Sequence, residues 1–192
     1  SHGEGSDEFP RIGQAMGVLS EAPIFIDDTP MANIMQIRTK CRRLQTEHGL
    51  DLIIIDYLQL MEGRNSSAGE NRVQEVSEIS RGLKAVAREL QVPVLALSQL
   101  SRAVETTKPA IPKLAHLRES GSIEQDADIV MFVYRKATDR NYQESELTPE
   151  EKNTAEIHIA KHRNGPTGVT QLFFDSARVS FKNLKNAPPP SQ

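Results

Sequence analysis

The sequence predicts an α/β fold with a mostly parallel central sheet flanked by helices. Three short apolar runs, residues 23–26, 50–55 and 94–97, have the length and the β-branched composition of buried strands. Stretches with the apolar spacing of amphipathic helices separate these runs. Residues 23–99 are therefore predicted to form a β-α-β-α-β unit, the repeating pattern of doubly wound parallel sheets.

The first predicted helix follows the strand at residues 23–26. Thr29 is a suitable N-cap, Pro30 suits the first helical position, and Gly49 is a natural end. Apolar residues recur at spacings of three and four along this stretch. They predict a buried stripe formed by Ile34, Ile37, Cys41 and Leu44.

The second strand and helix follow the same logic. The run at residues 50–55 is apolar without alternation, which is typical of a strand covered on both faces. Residues 73–90 keep helical spacing, and Gln91-Val92-Pro93 interrupts it. The run at residues 94–97 then predicts a third short, buried strand.

The carboxy half is predicted to complete the sheet. Residues 129–134 form an apolar run typical of a core strand, and residues 155–160 and 169–174 predict two strands joined as a hairpin. Residues 101–125 show little periodicity, and residues 135–152 are polar and rich in turn formers, which predicts a surface excursion.

Domain organisation is predicted to be simple. Residues 1–8 are interpreted as a tag or frayed end, residues 9–184 as one domain, and residues 185–192 as a disordered, proline-rich tail. The chain has 192 residues, and 38% of them are hydrophobic, which suffices for one packed core.

Composition limits the classes of function. The chain has 23 Lys and Arg against 26 Asp and Glu, a formal net charge of −3, so it has no bulk positive field for nucleic acid. Contact with DNA would need a local patch or several chains acting together. The single Cys41 forms no internal disulfide, and no apolar run approaches the ~20 residues of a membrane span. We therefore expect a cytoplasmic protein without a membrane segment.

Candidate chemical groups follow the strands, because ligands of open α/β sheets bind beyond the carboxyl ends of the strands. Asp56 has the position of a Walker B aspartate, which holds Mg²⁺ beside nucleotide phosphates, but a strand-ending Asp that caps a loop is an equal alternative. Gln99 could contact a phosphate or simply end its strand. Lys161 and Arg163 have the same parity and should project to one side, either as phosphate ligands or as an ordinary surface pair.

Four strings together resemble a known family. They are LDLIIIDYLQL at residues 50–60, SQLSR at 98–102, LRESGSIEQDAD at 117–128 and AKHRNGP at 160–166. In this order and at these separations they resemble the carboxy-terminal RecA-like motor domain of bacterial replicative helicases of the DnaB family, over residues 9–184. The resemblance implies a RecA-like P-loop ATPase fold with ATP and Mg²⁺ as cofactors.

The resemblance also implies roles for individual residues. Asp56 matches the Walker B aspartate at the Mg²⁺ site, and Gln99 matches the γ-phosphate sensor. Arg163 matches the arginine finger and Lys161 its companion, which in this family reach the nucleotide of the neighbouring subunit in a hexameric ring. A cation supplied in this way stabilises the charge that develops on the transferring phosphoryl group.

A loop that grips DNA is implied as well. Arg118, Glu119 and Gly121 match the central-channel loop that holds single-stranded DNA, where a glycine permits close approach to a phosphate and an arginine supplies charge. The family resemblance implies a homohexamer, with primase and a helicase loader as further partners.

One expected motif is absent from the sequence. No GxxxxGK[ST] phosphate loop occurs in the 192 residues, and in this family that loop would precede Phe9. We therefore expect a motor domain without its first strands, which exposes a sheet edge or an apolar face and hydrolyses no ATP by itself. Two alternatives stay open: another RecA-like ATPase of recombinase or clock type, or a non-catalytic module that binds DNA or a helicase loader.

Overall fold

The computed structural model describes residues 8–61, 72–117 and 121–184. The predicted tail and most of the predicted frayed end lie outside these ranges. The chain divides into two compact units, residues 1–30 and 31–192. In the first unit, helix α1 spans Glu8–Glu21, a helix that the sequence patterns did not predict.

The prediction of a strand at residues 23–26 was wrong. This segment belongs to neither of the two described sheets, and Ile24, Phe25 and Ile26 are 65%, 53% and 89% exposed. Strand propensity describes how well a segment fits a sheet, and it becomes a strand only where a neighbour supplies backbone partners.

The second unit begins with helix α2, which spans Ile34–His48. The predicted start at Thr29 and Pro30 was wrong, because Asn33 is the N-cap. The Asn33 side chain accepts a hydrogen bond from the Gln36 backbone N–H, and the Gln36 side chain accepts one from the Asn33 N–H. This reciprocal capping box fixes the first turn. The helix ends at Gly49 as predicted, where a φ of 81° favours glycine.

Strand β1 spans Ile53–Ile55, helix α3 spans Arg72–Leu90, and strand β2 spans Val94–Ala96. The two strands pair in parallel with Ile53 opposite Val94, which confirms the predicted β-α-β unit at this point. The core lies between this pair and the two helices. Its most buried side chains are those of Val76, Ile79 and Val86 on α3.

The opposite face of the parallel pair is exposed, so the prediction of cover on both faces was wrong. Ile54 is 58% and Leu95 is 44% exposed, whereas Ile53 belongs to the core. Helices α2 and α3 cover only one face, and neighbouring residues of a strand point to opposite faces. The exposed apolar face agrees with the second expectation from the sequence, that the domain leaves a sheet edge or an apolar face exposed.

A second sheet follows helix α4 (Gly121–Asp126) and has the strand order β3-β4-β5-β6. All its pairings are antiparallel, so the described strands are more antiparallel than the sequence predicted. The predicted strand at residues 129–134 and the predicted hairpin are confirmed, whereas β6 was not predicted. The strands are β3 (Ile129–Tyr134), β4 (Thr154–His162), β5 (Gly168–Asp175) and β6 (Ser180–Lys182).

The segment between β3 and β4 was predicted as a surface excursion, which is only partly right. It carries the short helix α5, which spans Pro149–Lys152. It also carries Asp139, which is 6% exposed, and Leu147, which is 7% exposed. The polar composition hid these buried residues. In the part of the chain that the structure describes, no helix is both long and apolar enough to cross a membrane.

Candidate functional site

Asp56 and Gln99 lie at the same edge of the parallel pair, each just beyond the carboxyl end of its strand. The strands are in register up to this edge, and the backbone continues the pairing for one residue. The Leu97 N–H donates to the Ile55 carbonyl and the Leu58 N–H donates to the Leu97 carbonyl, each over 2.9 Å. The carboxyl ends of the two strands therefore lie side by side.

Gln59 ties the two strand ends together through its side-chain amide. Its Nε2 donates to the Ser98 hydroxyl over 3.0 Å, and its Oε1 accepts the Gln99 backbone N–H over 3.1 Å. Gln59 therefore connects the backbone at Gln99 to the segment that follows Asp56. This role of Gln59 could not be predicted from the sequence, because no spacing rule links residues 40 positions apart.

The Asp56 carboxylate is exposed, and no hydrogen bond or ion pair occupies it within the described ranges. Mg²⁺ beside a nucleotide commonly takes one or two protein carboxylates and completes its shell with phosphates and water. A single accessible carboxylate fits that requirement. Among the described residues no group of three His, Cys, Asp or Glu could hold a metal ion without such a co-ligand.

Lys161 binds the carboxyl end of helix α4. Its ammonium donates to the Glu124 carbonyl and, over 3.3 Å, to the Gln125 carbonyl. Terminal helix carbonyls have no partner within the helix and carry a partial negative charge, so a cation is stabilising there. Helix α4 begins at Gly121, directly after residues 118–120.

Arg163 pairs with Asp128, which the sequence reasoning did not single out. Its Nη1 donates to Oδ1 of Asp128 over 3.2 Å, and its backbone N–H donates to the Asp128 carbonyl over 2.8 Å. Lys84 of α3 also contacts the Asp128 carboxylate. The Lys84 ammonium, against some desolvation, and then the Arg163 guanidinium hold the pKa of Asp128 below its usual value.

The Arg163 side chain is nevertheless accessible. It is 57% exposed and its Asp128 partner is 53% exposed, and exposed ion pairs contribute only about 0 to 1 kcal/mol. The ion pair orients the Arg163 guanidinium but leaves it accessible to solvent. Arg163 can thus exchange Asp128 for a stronger anion at little cost.

The turn after Arg163 is packed by its neighbour His162. The imidazole lies against Gly165, where any Cβ would overlap the ring, and its Nδ1 lies 3.3 Å from the Pro166 carbonyl. A Cβ at this position would therefore force the His162 ring to move. This contact gives a physical reason for part of the AKHRNGP string.

The structure brings the predicted residues together as two groups, Asp56 with Gln99 and Lys161 with Arg163. The second pair projects towards residues 124–128, in agreement with the predicted common side. The predicted DNA contacts Arg118 and Glu119 lie outside the described residues. The third, Gly121, is the first residue of α4.

Comparison with known proteins gives one consistent result. The family model for the DnaB-like helicase C terminal domain matches residues 2–183. The chain is 55% identical over 179 residues to the replicative DNA helicase DnaB of Geobacillus stearothermophilus and 54% identical to the replicative DNA helicase DnaC of Bacillus subtilis. In both comparisons 93% of this chain aligns, but only 38% of the relative. The chain thus spans well under half the length of these relatives.

Solved structures agree in fold. A DnaB-like replicative helicase, whose structure was described with its interactions with primase, superposes with a TM-score of 0.82 at 40% identity. The superposition covers 95% of this chain and 43% of that one. A second solved structure, of an ATPase domain, gives a TM-score of 0.83 at 41% identity, covering 94% of this chain and 62% of that one. These neighbours confirm the RecA-like α/β fold class, and the chain belongs to the family of DnaB-like helicase C-terminal domains.

Proposed function

We propose that this chain supplies part of the ATP-driven motor of a replicative DNA helicase, here called the parent helicase. The observation that carries the proposal is the placement of Asp56 and Gln99 at one edge of a parallel strand pair, tied together by Gln59. In RecA-like folds nucleotide phosphates bind at this edge. The parent helicase would use ATP to move along single-stranded DNA and separate the duplex at the replication fork.

Asp56 would hold Mg²⁺, directly or through water, and the ion would neutralise charge on the nucleotide phosphates. Gln99 would contact the γ-phosphate through its amide. Loss of that phosphate would release Gln99, and the hydrogen bonds of Gln59 would convey the change to both strand ends.

Arg163 and Lys161 would act on the nucleotide of the neighbouring subunit in a homohexameric ring. A guanidinium that is 57% exposed can reach outward, and in phosphoryl transfer it stabilises charge that develops in the transition state. Heterologous contacts that close into a ring place such a residue at every interface.

Single-stranded DNA would bind to Arg118, Glu119 and Gly121 in the central channel. Repetition of this loop around a ring supplies local positive charge even though the chain has a net charge of −3. Primase and a helicase loader would be the protein partners, and the parent helicase would work in the cytoplasm. A non-catalytic module that binds DNA or a loader is a second candidate for the chain by itself, because its sequence contains no GxxxxGK[ST] phosphate loop.

Unwinding of a forked duplex by the parent helicase tests the proposal. With ATP and Mg²⁺ the unsubstituted protein should unwind, and Gln99→Ala should abolish the stimulation of ATP hydrolysis by single-stranded DNA. Gln74→Ala, an exposed glutamine of α3, is the matched control and should behave normally. The 192-residue chain alone should hydrolyse no ATP. A parent helicase that does not unwind, or a Gln99→Ala variant that DNA stimulates normally, would contradict the proposal.

A further inference from the structure

Residues 101–116 form a closed loop between the two proposed functional segments. The Ser101 N–H donates to the His116 carbonyl over 2.9 Å, which brings the ends of the loop together. One end lies two residues after Gln99, and the other lies two residues before position 118. The covalent path between the proposed sensor and the proposed DNA contacts runs through this loop.

The far side of the loop is fixed by Asp139. One carboxylate oxygen, Oδ2, accepts the Ala110 backbone N–H over 2.9 Å and the Tyr134 hydroxyl over 2.9 Å. The other, Oδ1, accepts the Asn141 backbone N–H over 2.9 Å and its side-chain amide over 2.8 Å. Four donors therefore converge on one carboxylate, which joins the loop to the end of strand β3.

Asn141 makes a second connection to the same part of the loop. Its Nδ2 donates to the Thr107 carbonyl over 2.9 Å as well as to Asp139. Ala110 and Thr107 are thus both held from one short segment. We call these five residues, Thr107, Ala110, Tyr134, Asp139 and Asn141, the Asp139 hub.

Loss of a hydrogen bond in the Asp139 hub is expected to be costly, because the hub is buried and contains a charged group. Asp139 is 6% exposed and Tyr134 is 8% exposed, so a lost partner would leave a buried polar group unsatisfied. Burial by itself would raise the pKa of Asp139, but the N–H groups of Asn141 and Ala110 outweigh it and keep the pKa below its usual value. The carboxylate is therefore ionised, as an acceptor of four hydrogen bonds must be.

We infer that Asp139 is a positioning residue, which holds the 101–116 loop rigidly on strand β3 so that a change at Gln99 reaches the DNA-binding segment. We call the attachment of the 101–116 loop to strand β3 through the Asp139 hub the clamp, and its existence rests on the hub geometry alone. Its effect on the DNA-binding segment rests on the proposed function. It also gives a role to the polar segment after β3, to which no motif assigned one. Exposed Arg140 pairs with Glu105 of the loop over 2.8 Å and provides a natural comparison, because that bond lies outside the hub.

Hydrogen exchange of the 192-residue chain tests the clamp. In Asp139→Asn an NH₂ group replaces one carboxylate oxygen. Either Ala110 and Tyr134 or the two Asn141 donors then lose their acceptor, and in both cases the attachment of the loop is weakened. The Ala110 amide and its neighbours through residue 117 should then exchange about tenfold faster or more, while the amides of β1 and β2 keep their rates. Asn141→Ala, which removes the bond to Thr107, should act in the same direction.

Glu105→Gln is the matched control and should leave exchange in the loop nearly unchanged, because it breaks only the exposed ion pair. If Asp139→Asn lowers the stability of the whole chain, hydrogen exchange of the Asn141→Ala variant decides whether the hub holds the loop. Unchanged exchange at Thr107–Ala110 in both variants would overturn the clamp.

The passage of a change at Gln99 to the DNA-binding segment, here called the relay, is tested by a second measurement in the parent helicase. In Asp139→Asn the half-saturating concentration of single-stranded oligonucleotide should rise, and the ratio of DNA-stimulated to basal ATP turnover should fall, about threefold or more. A normal ratio combined with faster exchange would overturn the relay. If the unsubstituted parent helicase hydrolyses no ATP, the proposed function fails, and the clamp stands or falls on the exchange data alone.

Discussion

Gly165 lies where no other residue fits without a rearrangement, since a Cβ there would overlap the imidazole of His162. The turn that carries Arg163 is therefore set by steric contact as well as by hydrogen bonds. Gly168, four residues from Asn164, has no heavy atom within 4 Å of an added Cβ. The two glycines form a natural pair for comparison.

Gly165→Ala should destabilise the chain by up to about 1 kcal/mol, because the half-exposed His162 ring would have to move away from the turn. Gly168→Ala should change stability by much less. Urea unfolding measures both. In a His162→Ala background the cost of Gly165→Ala should largely disappear, and a cost that persists there would show that the imidazole contact is not its cause.

Residue-scale roles were the hardest to predict from the sequence. Asp56, Gln99, Lys161 and Arg163 could be singled out because they follow apolar runs or belong to recognisable strings. The bridging residues could not be singled out, since Gln59 binds Gln99, Asp128 binds Arg163 and Asp139 binds Ala110 across 29 to 40 positions of sequence. A polar residue becomes a bridge only through tertiary contacts, which periodicity does not encode.

At the scale of elements, the β5–β6 hairpin owes part of its stability to one carboxylate. Asp175 accepts hydrogen bonds from Lys182 Nζ over 3.0 Å and from Arg178 Nη1 over 3.1 Å. These two cations, Lys182 first, lower the pKa of Asp175 to about 2. The ionised form is therefore favoured by folding.

The pH dependence follows from the sign of that shift. Because the folded pKa lies below the usual unfolded value of about 3.9, the stabilisation is fully present above pH ~4 and is lost as the pH falls towards 2. Asp175→Asn should thus lower the free energy of unfolding at about pH 7 and matter little near pH 2. Urea titrations at both pH values measure this, with the exposed Asp51→Asn as control. An equal loss at both pH values would contradict the account.

Elements were predicted well where local and tertiary signals agree. Helix α3 has continuous helical spacing, and its buried Val76, Ile79 and Val86 follow that spacing. The predictions of a strand at residues 23–26 and of the start of α2 were wrong. Both predictions depended on local propensity alone. In the described part of the chain, Asn33 caps the helix instead, and the apolar run belongs to neither sheet.

At the scale of the whole molecule, a net charge of −3 and a DNA-related family are compatible. Arg38 and Arg42 share the single carboxylate of Glu89 on the surface, so their positive charge is only partly neutralised. Under the proposed function, positive charge for DNA would come from a local loop repeated around a ring. Composition excluded a bulk nucleic-acid binder, and only the motifs and the comparisons led to the helicase family.

The fold also leaves apolar surface exposed on both sheets of the second unit. Ile54 and Leu95 on the parallel pair and Met131 and Val133 on β3 are each 44% to 58% exposed. The sequence led us to expect such a face. Apart from the predicted hairpin of β4 and β5, the antiparallel pairings could not be predicted, because pairing partners depend on connection geometry rather than on the apolar runs themselves.

Action of Arg163 across a subunit boundary is the central claim, and complementation within mixed rings tests it most directly. Arg163→Ala rings and Asp56→Ala rings of the parent helicase should each lack DNA-stimulated ATP turnover. In rings assembled from equal amounts of both, roughly a quarter of the interfaces would join an intact Asp56 to an intact Arg163 from the next subunit, by random assembly of a heterologous ring. We predict that turnover returns in the mixture. A mixture as inactive as either variant alone would contradict the account.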